Sequence, residues 1–201
     1  MATVTKVERA DAARNRQRVL EAAGELFAEL GARNVTMGDI AAAAGVGRGT
    51  LYRRYPDIAS IAMALLDEHE RALQKQLISG PPPLGPGATP AERLAAFYVA
   101  MVELLEQHVH LILGAETGQE RFAVGAYGFW RVHVRSLLIE AGTSNVDALV
   151  DILLAPLDPD VYQHQRHTRN LRPDEISAAL THLAHALLTK DGPGGDPAHR
   201  R

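Results

Sequence analysis

Nowhere in this 201-residue chain do apolar and polar residues alternate long enough to build a half-buried strand, whereas apolar residues return every three or four positions along most of its length. That spacing predicts an all-α fold. Gly and Pro then mark where the helices stop. A first helix is expected over about 11–30, with Val19, Ala22, Ala23, Leu26, Phe27 and Leu30 on one stripe and Gly31 where a left-handed cap is needed. Thr36 opens a short helix over "MGDIAAAA", with Asp39 in the acidic place of a capping box, and Gly45 ends it. A third helix spans about 48–55, and a fourth runs from Pro56 and Asp57 to about Ile78. The Pro- and Gly-rich "SGPPPLGPGATP" separates these from a second region. There, helices are expected from Thr89 and Pro90 to about Leu113, from about Gln119 to Ala141, from about Asn145 to Arg169 with a break at "PLDP", and from Pro173 to Thr189. The second of these stretches, 119–141, is apolar nearly all round except for Arg131 and Arg135, which predicts burial on several sides.

The resulting organisation is a basic flexible arm (1–10), a three-helix head (11–56), a connecting helix (57–78), a Pro/Gly linker (79–89), a helical body (90–190) and a disordered tail (191–201). Charge follows that division. The whole chain has a formal net charge of −3, yet residues 1–60 carry nine Lys/Arg against seven Asp/Glu, so a small basic head precedes an acidic remainder. With no cysteine, disulfides, thiolate zinc sites and cysteine nucleophiles are absent. No apolar run approaches the roughly 18 residues of a membrane span and no secretion signal opens the chain, so a cytoplasmic protein without a membrane partner is expected.

The segment "AGVGRGTLYRRYP" carries the chemistry. Its glycines run G-x-G-x-G after an alanine-rich helix, not G-x-G-x-x-G after a strand, and no Lys-Ser/Thr follows, so neither a dinucleotide site nor a Walker loop fits. A short helix, a Gly-led turn and a second short helix instead predict a helix-turn-helix. Leu51 and Tyr55, four apart, face inward; Arg48, Thr50, Tyr52, Arg53 and Arg54 are left to meet base edges and phosphates. A solvated helix that happens to be basic is the alternative.

The stretch "VTMGDIAAAAGVGRGTLYRRYPDIASI" resembles the TetR family of bacterial transcriptional regulators, whose usual pattern is "IA..AGVS.GTLY.YF..K..L" after a long first helix. The likeness is dense over 36–61; the body matches only in length and helicity. It implies that Thr36 caps its helix while touching phosphate, and that Arg48, Gly49, Thr50, Tyr52 and Arg54 lie toward the DNA groove, with Gly47 as N-cap in the place of the usual Ser. Tyr55 replaces the usual Phe. Ile58 stands where a Lys is common, which leaves that phosphate contact to Arg53, Arg54 or the N-terminal segment. The resemblance also implies a homodimer formed through the last two long helices, and a body that holds a small-molecule effector.

Candidate pocket residues are His69, His108 and His133, which fall on apolar helix faces, with Tyr98, Met101, Arg121, Phe122, Phe129 and Trp130. Plain core is the competing reading of each. His164/His167 and His182/His185 are spaced as metal pairs, but no further ligand completes a set, so no metal or cofactor is expected. The expected function is a dimeric repressor released from a palindromic double-stranded DNA operator by a small molecule; a ligand-independent architectural DNA binder is the alternative. A helical-bundle enzyme is a third, although no Glu-x-x-His pair, G-x-S-x-G or triad, and hence no catalytic residue, is found.

Overall fold

The computed structural model describes residues 2–31, 34–115 and 126–189, which are helical with no strand among them. The chain divides into two compact units, Met1–Arg71 and Ala72–Arg201. The tail expected over 191–201 lies outside the described residues.

The first unit contains α1 (Ala2–Leu30), α2 (Met37–Ala44), α3 (Arg48–Arg54) and the first part of α4 (Ile58–Ser79). α1 starts nine residues earlier than the sequence spacing predicted, so the stretch expected as a flexible arm is the helix's first turns. The reason is local: residues 2–23 contain neither Gly nor Pro and are rich in Ala and Arg, so nothing in the stretch stops the helix. Small residues set the packing. Ala22, Ala23, Ala41 and Ala44 are buried between larger Val19, Leu20, Ile40, Leu51, Ile61 and Leu65, and Leu26, Phe27, Val46 and Ile58 close the margins. The large side chains, at roughly 1.5–3 kcal/mol each on full burial, supply most of the stabilisation. The alanines let the backbones of α1 and α2 approach.

In the second unit α5 (Pro90–Ala115) is the central element, packed by α9 (Pro173–Leu188), α6 (Tyr127–Ala141) and α8 (Pro159–Gln163), while α7 (Val146–Leu154) lies against α6. α5 begins at the expected cap: Thr89 N–H and Oγ1 donate to Glu92 Oε2 at 2.9 and 2.8 Å, and Glu92 N–H returns a bond to Thr89 Oγ1 at 3.3 Å. The break at "PLDP" is a 3-10 turn over Ala155–Leu157, after which Asp158 caps α8. A π turn over His164–Thr168 follows. The Pro/Gly segment expected as a linker is tightly turned, with Gly80 N–H donating to Gln76 O and Gly85 N–H to Pro81 O at 2.8 and 2.9 Å.

α6 departs from expectation. Trp130, His133, Val134, Leu137 and Leu138 are buried, but Val132 and Ile139 are 67% and 53% exposed, so the helix buries one face and not several. Its two arginines bridge to α7, Arg131 to Asp151 and Arg135 to Asp147.

Candidate nucleic-acid interface

α2, with the turn that follows it, is held from three sides. At its start, Thr36 and Asp39 form the predicted capping box: Thr36 N–H and Oγ1 donate to Asp39 Oδ2 at 2.9 and 2.6 Å, and Asp39 N–H donates to Thr36 Oγ1 at 3.2 Å. These bonds, joined by the nearby Arg48 charge, hold the Asp39 carboxyl below the usual carboxylate range. At the other end of α2, Gly45 takes the left-handed conformation, φ +60°, and its N–H bonds Ala42 O while Val46 N–H bonds Ala41 O. From α1, the Arg18 guanidinium donates to the Ala44 and Gly45 carbonyls, placing a cation on the negative end of α2.

Gly47 is the N-cap of α3 and gives no side-chain bond, as expected of glycine in a place where serine is usual. Leu51 and Tyr55 anchor the helix inward at 2% and 6% exposure. With that face fixed by burial, Arg48, Gly49, Thr50, Tyr52, Arg53 and Arg54 are all exposed, as is Thr36. Arg53 Nη2 reaches Thr50 Oγ1 at 3.3 Å, and the Arg54 guanidinium lies 5.8 Å from the Tyr55 ring centroid. Arg48 folds back over α2, so close that a Cβ on Gly38 would meet its Nη2 at 3.1 Å. Ile58 is half-buried against the core cluster, so an apolar residue at this position serves packing, and Asp57 caps α4 by accepting from Ser60 N–H at 2.7 Å.

Arg18 and Gly38 escaped the sequence reading. Gly38 left a signal, a glycine inside a short helix. Arg18 left none, because its partners are 26 and 27 residues away in sequence.

Of the proposed pocket residues, Tyr98, Met101, His108, Trp130 and His133 are buried in the second unit and Phe129 is half-buried there. His69 belongs to the first unit and is half-buried, not part of a core as its helix face suggested, because the polar Glu68 and Glu70 flank it on a helix that is only partly covered. Arg121 and Phe122 lie outside the described residues. Phe97, not among the candidates, is the hub: its ring centroid is 5.3 Å from His133, 5.8 Å from Trp130 and 6.1 Å from Tyr98, and Trp130 in turn meets Phe129 edge-on at 5.4 Å. Tyr98 Oη donates to Leu153 O at 3.0 Å, and burial pushes its pKa up. His133 Nε2 has no hydrogen-bond partner among the described residues, and burial, helped by the Arg93 charge, lowers its pKa to about 4. His164, His167, His182 and His185 are exposed, and the described residues contain no metal-binding cluster and no helix long and apolar enough to cross a membrane.

An all-helical protein in which a left-handed glycine turn aims a short, basic, exposed helix is a helix-turn-helix protein. Residues 19–65 match the profile of the bacterial regulatory proteins of the TetR family. An HTH-type transcriptional regulator from Staphylococcus aureus is 43% identical over 58 residues, 29% of this chain and 31% of that protein. An uncharacterized HTH-type regulator from Mycobacterium bovis is 40% identical over 60 residues, 30% and 32% of the two chains. The matched stretch thus spans about a third of these relatives. Solved structures share the whole fold at low identity: a TetR-family regulator from Streptomyces coelicolor (TM-score 0.62, 20% identity, 94% of this chain and 95% of that one) and FadR from Bacillus subtilis in complex with stearoyl-CoA (0.57, 19%, 84% and 96%). Over residues 19–65 the chain is thus similar to the TetR family, and its fold is that of solved members of that family.

Proposed function

We propose that the protein is a transcriptional regulator that binds a palindromic duplex operator as a homodimer and is released by a small-molecule effector, acting as a repressor. The observation that carries the DNA-binding part is the division of α3 into a buried side, Leu51 with Tyr55 as its cap, and an exposed side bearing Arg48, Thr50, Tyr52, Arg53 and Arg54. Arginine can pair bidentately with guanine or clamp phosphate, and the hydroxyls of Thr50 and Tyr52 suit phosphate oxygens. Thr36 and the cap Gly47 complete the set.

Dimerisation follows from the size of one reading helix. A seven-residue α3 spans only a few base pairs, so two copies about 34–36 Å apart are the simplest route to a specific site. The last helices would join them. The effector reading is supported by the aromatic and histidine cluster around Phe97 and by the stearoyl-CoA bound to the similarly folded FadR. An effector can shift DNA affinity only through its preference for one conformation, on the order of 1–3 kcal/mol of coupling.

The test is to select duplexes from genomic fragments with the full chain and measure binding of Arg48→Ala and Tyr52→Ala. Each is expected to weaken binding to the selected duplex about tenfold or more while the chain keeps its melting temperature and oligomeric state. Unchanged affinity in both variants overturns the reading, and binding that ignores sequence favours an architectural role.

A further inference from the structure

We infer that the head itself carries a small-molecule site: a cleft of about 520 Å³ between α1 and α3 that fits an anion with an apolar body. Its volume lies in the range of small-ligand sites, roughly 300–1,000 Å³. The lining has two chemistries. Val19, Val46, Leu51 and the Tyr55 ring form an apolar floor, and Arg53 and Arg54 stand at one side. Arg16 also borders the cleft, but it is held by Glu68, and the nearby Asp11 is held by Arg14. Arg53 and Arg54 have no such carboxylate partner among the described residues, so the cleft's uncommitted charge is positive.

A second observation concerns Tyr55, the residue that stands where the family pattern has Phe. The side chain is 94% buried, and its hydroxyl has no hydrogen-bond partner among the described residues. Packing alone would be served by phenylalanine, and a buried hydroxyl without an acceptor is a cost that a core ordinarily avoids. The hydroxyl is covered in this structure, so a small rotation of the ring is needed for a ligand acceptor at the floor of the cleft to satisfy it. These features select the ligand class: an aromatic or alkyl body to cover the floor, an acidic group for Arg53 and Arg54, and an acceptor for Tyr55. A DNA phosphate meets the charge but has nothing to place on the apolar floor. Such a ligand would occupy the space beside Thr50, Arg53 and Arg54 and so exclude DNA directly, without any change in the second unit. That competition rests on the DNA-binding reading of α3; occupancy of the cleft does not.

Anilinonaphthalene sulfonate, an anion with an aromatic body, is a suitable probe. Its fluorescence is titrated with the full chain, with Tyr55→Phe, which removes only the hydroxyl, and with Ala12→Trp, which places an indole at the exposed edge of the cleft. The expected result is a class of probe sites that Ala12→Trp abolishes, that Tyr55→Phe weakens about five- to tenfold, and that a duplex selected by the chain displaces. Equal probe binding by all three proteins, or no probe binding by the wild type, overturns the site. A Tyr55→Phe protein that binds the probe unchanged overturns the role given to the hydroxyl. A probe site that Ala12→Trp abolishes and Tyr55→Phe weakens, in a chain that retains no duplex, would leave the cleft standing and refute the DNA-binding reading instead.

Discussion

The two units obey different constraints. In the head, small alanines and a left-handed glycine hold two short helices against a long one in one arrangement, and the side chains that matter point outward. In the body, long helices gather around large residues, Phe97, Tyr98, Trp130 and Tyr162, whose value is their volume. A part that must present a fixed shape to an outside partner is specified by backbone geometry, whereas a part that must fill its own interior is specified by size. Substitutions therefore fail in different ways: in the body by leaving space, in the head by disturbing a turn.

The largest effect belongs to the body. Phe97→Ala removes a ring with no exposure and all its aromatic neighbours, and is expected to cost about 3–5 kcal/mol, read from the urea midpoint. A cost below about 1 kcal/mol would show that the cluster is loosely packed and would favour a ligand cavity over plain core.

Acid should also strike the body. His133 has a folded-state pKa of about 4 against an ordinary value of about 6.5, so as pH falls the unfolded chain takes up a proton that the folded chain refuses. Stability from this group is fully present above about pH 6.5, is lost progressively down to about pH 4, and does not fall further below that. The loss is about 3 kcal/mol, and His133→Leu should flatten that part of the stability profile. Glu106 behaves otherwise. Bonds from Arg166 and Tyr162 hold its carboxyl down to about 2, so its contribution persists to far lower pH.

In the head the sensitive point is the turn. Gly45→Ala forces a side chain into φ +60° and would bring its Cβ within 2.6 Å of Arg18 Nη2, breaking the clamp on α2. A cost of about 1–2 kcal/mol is expected, with a loss of duplex affinity larger than the loss of stability explains. The smallest change should be a gain: Gly47→Ser adds the hydroxyl that the α3 N-cap lacks and should stabilise the head by a few tenths of a kcal/mol. A loss there would mean that the close approach of glycine, not its missing cap, is what the position needs.

How much of this was readable from the sequence follows the same division. The Thr36 to Tyr55 segment announces itself because each of its features is local: a capping box three residues wide, a glycine at the αL position, an inward pair four apart. The cap of α5 and the proline start of α9 were legible for the same reason. What could not be read depends on partners distant in the chain. Arg18 finds its carbonyls across α2, and the Phe97 and His133 rings meet across two helices, where helical periodicity assigned each residue a face but not a neighbour. The apolar run of α6 misled because Val132 and Ile139 are left exposed, and composition alone does not distinguish a buried face from an uncovered one.

The central claim is that α3 enters the major groove of a duplex in two symmetric copies, and chemical interference tests it directly. On a duplex selected by the chain, methylation at guanine N7, which lies in the major groove, should block binding in two clusters about one helical turn, or a multiple of it, apart. Interference confined to adenine N3 in the minor groove, or spread evenly with no clusters, would contradict it.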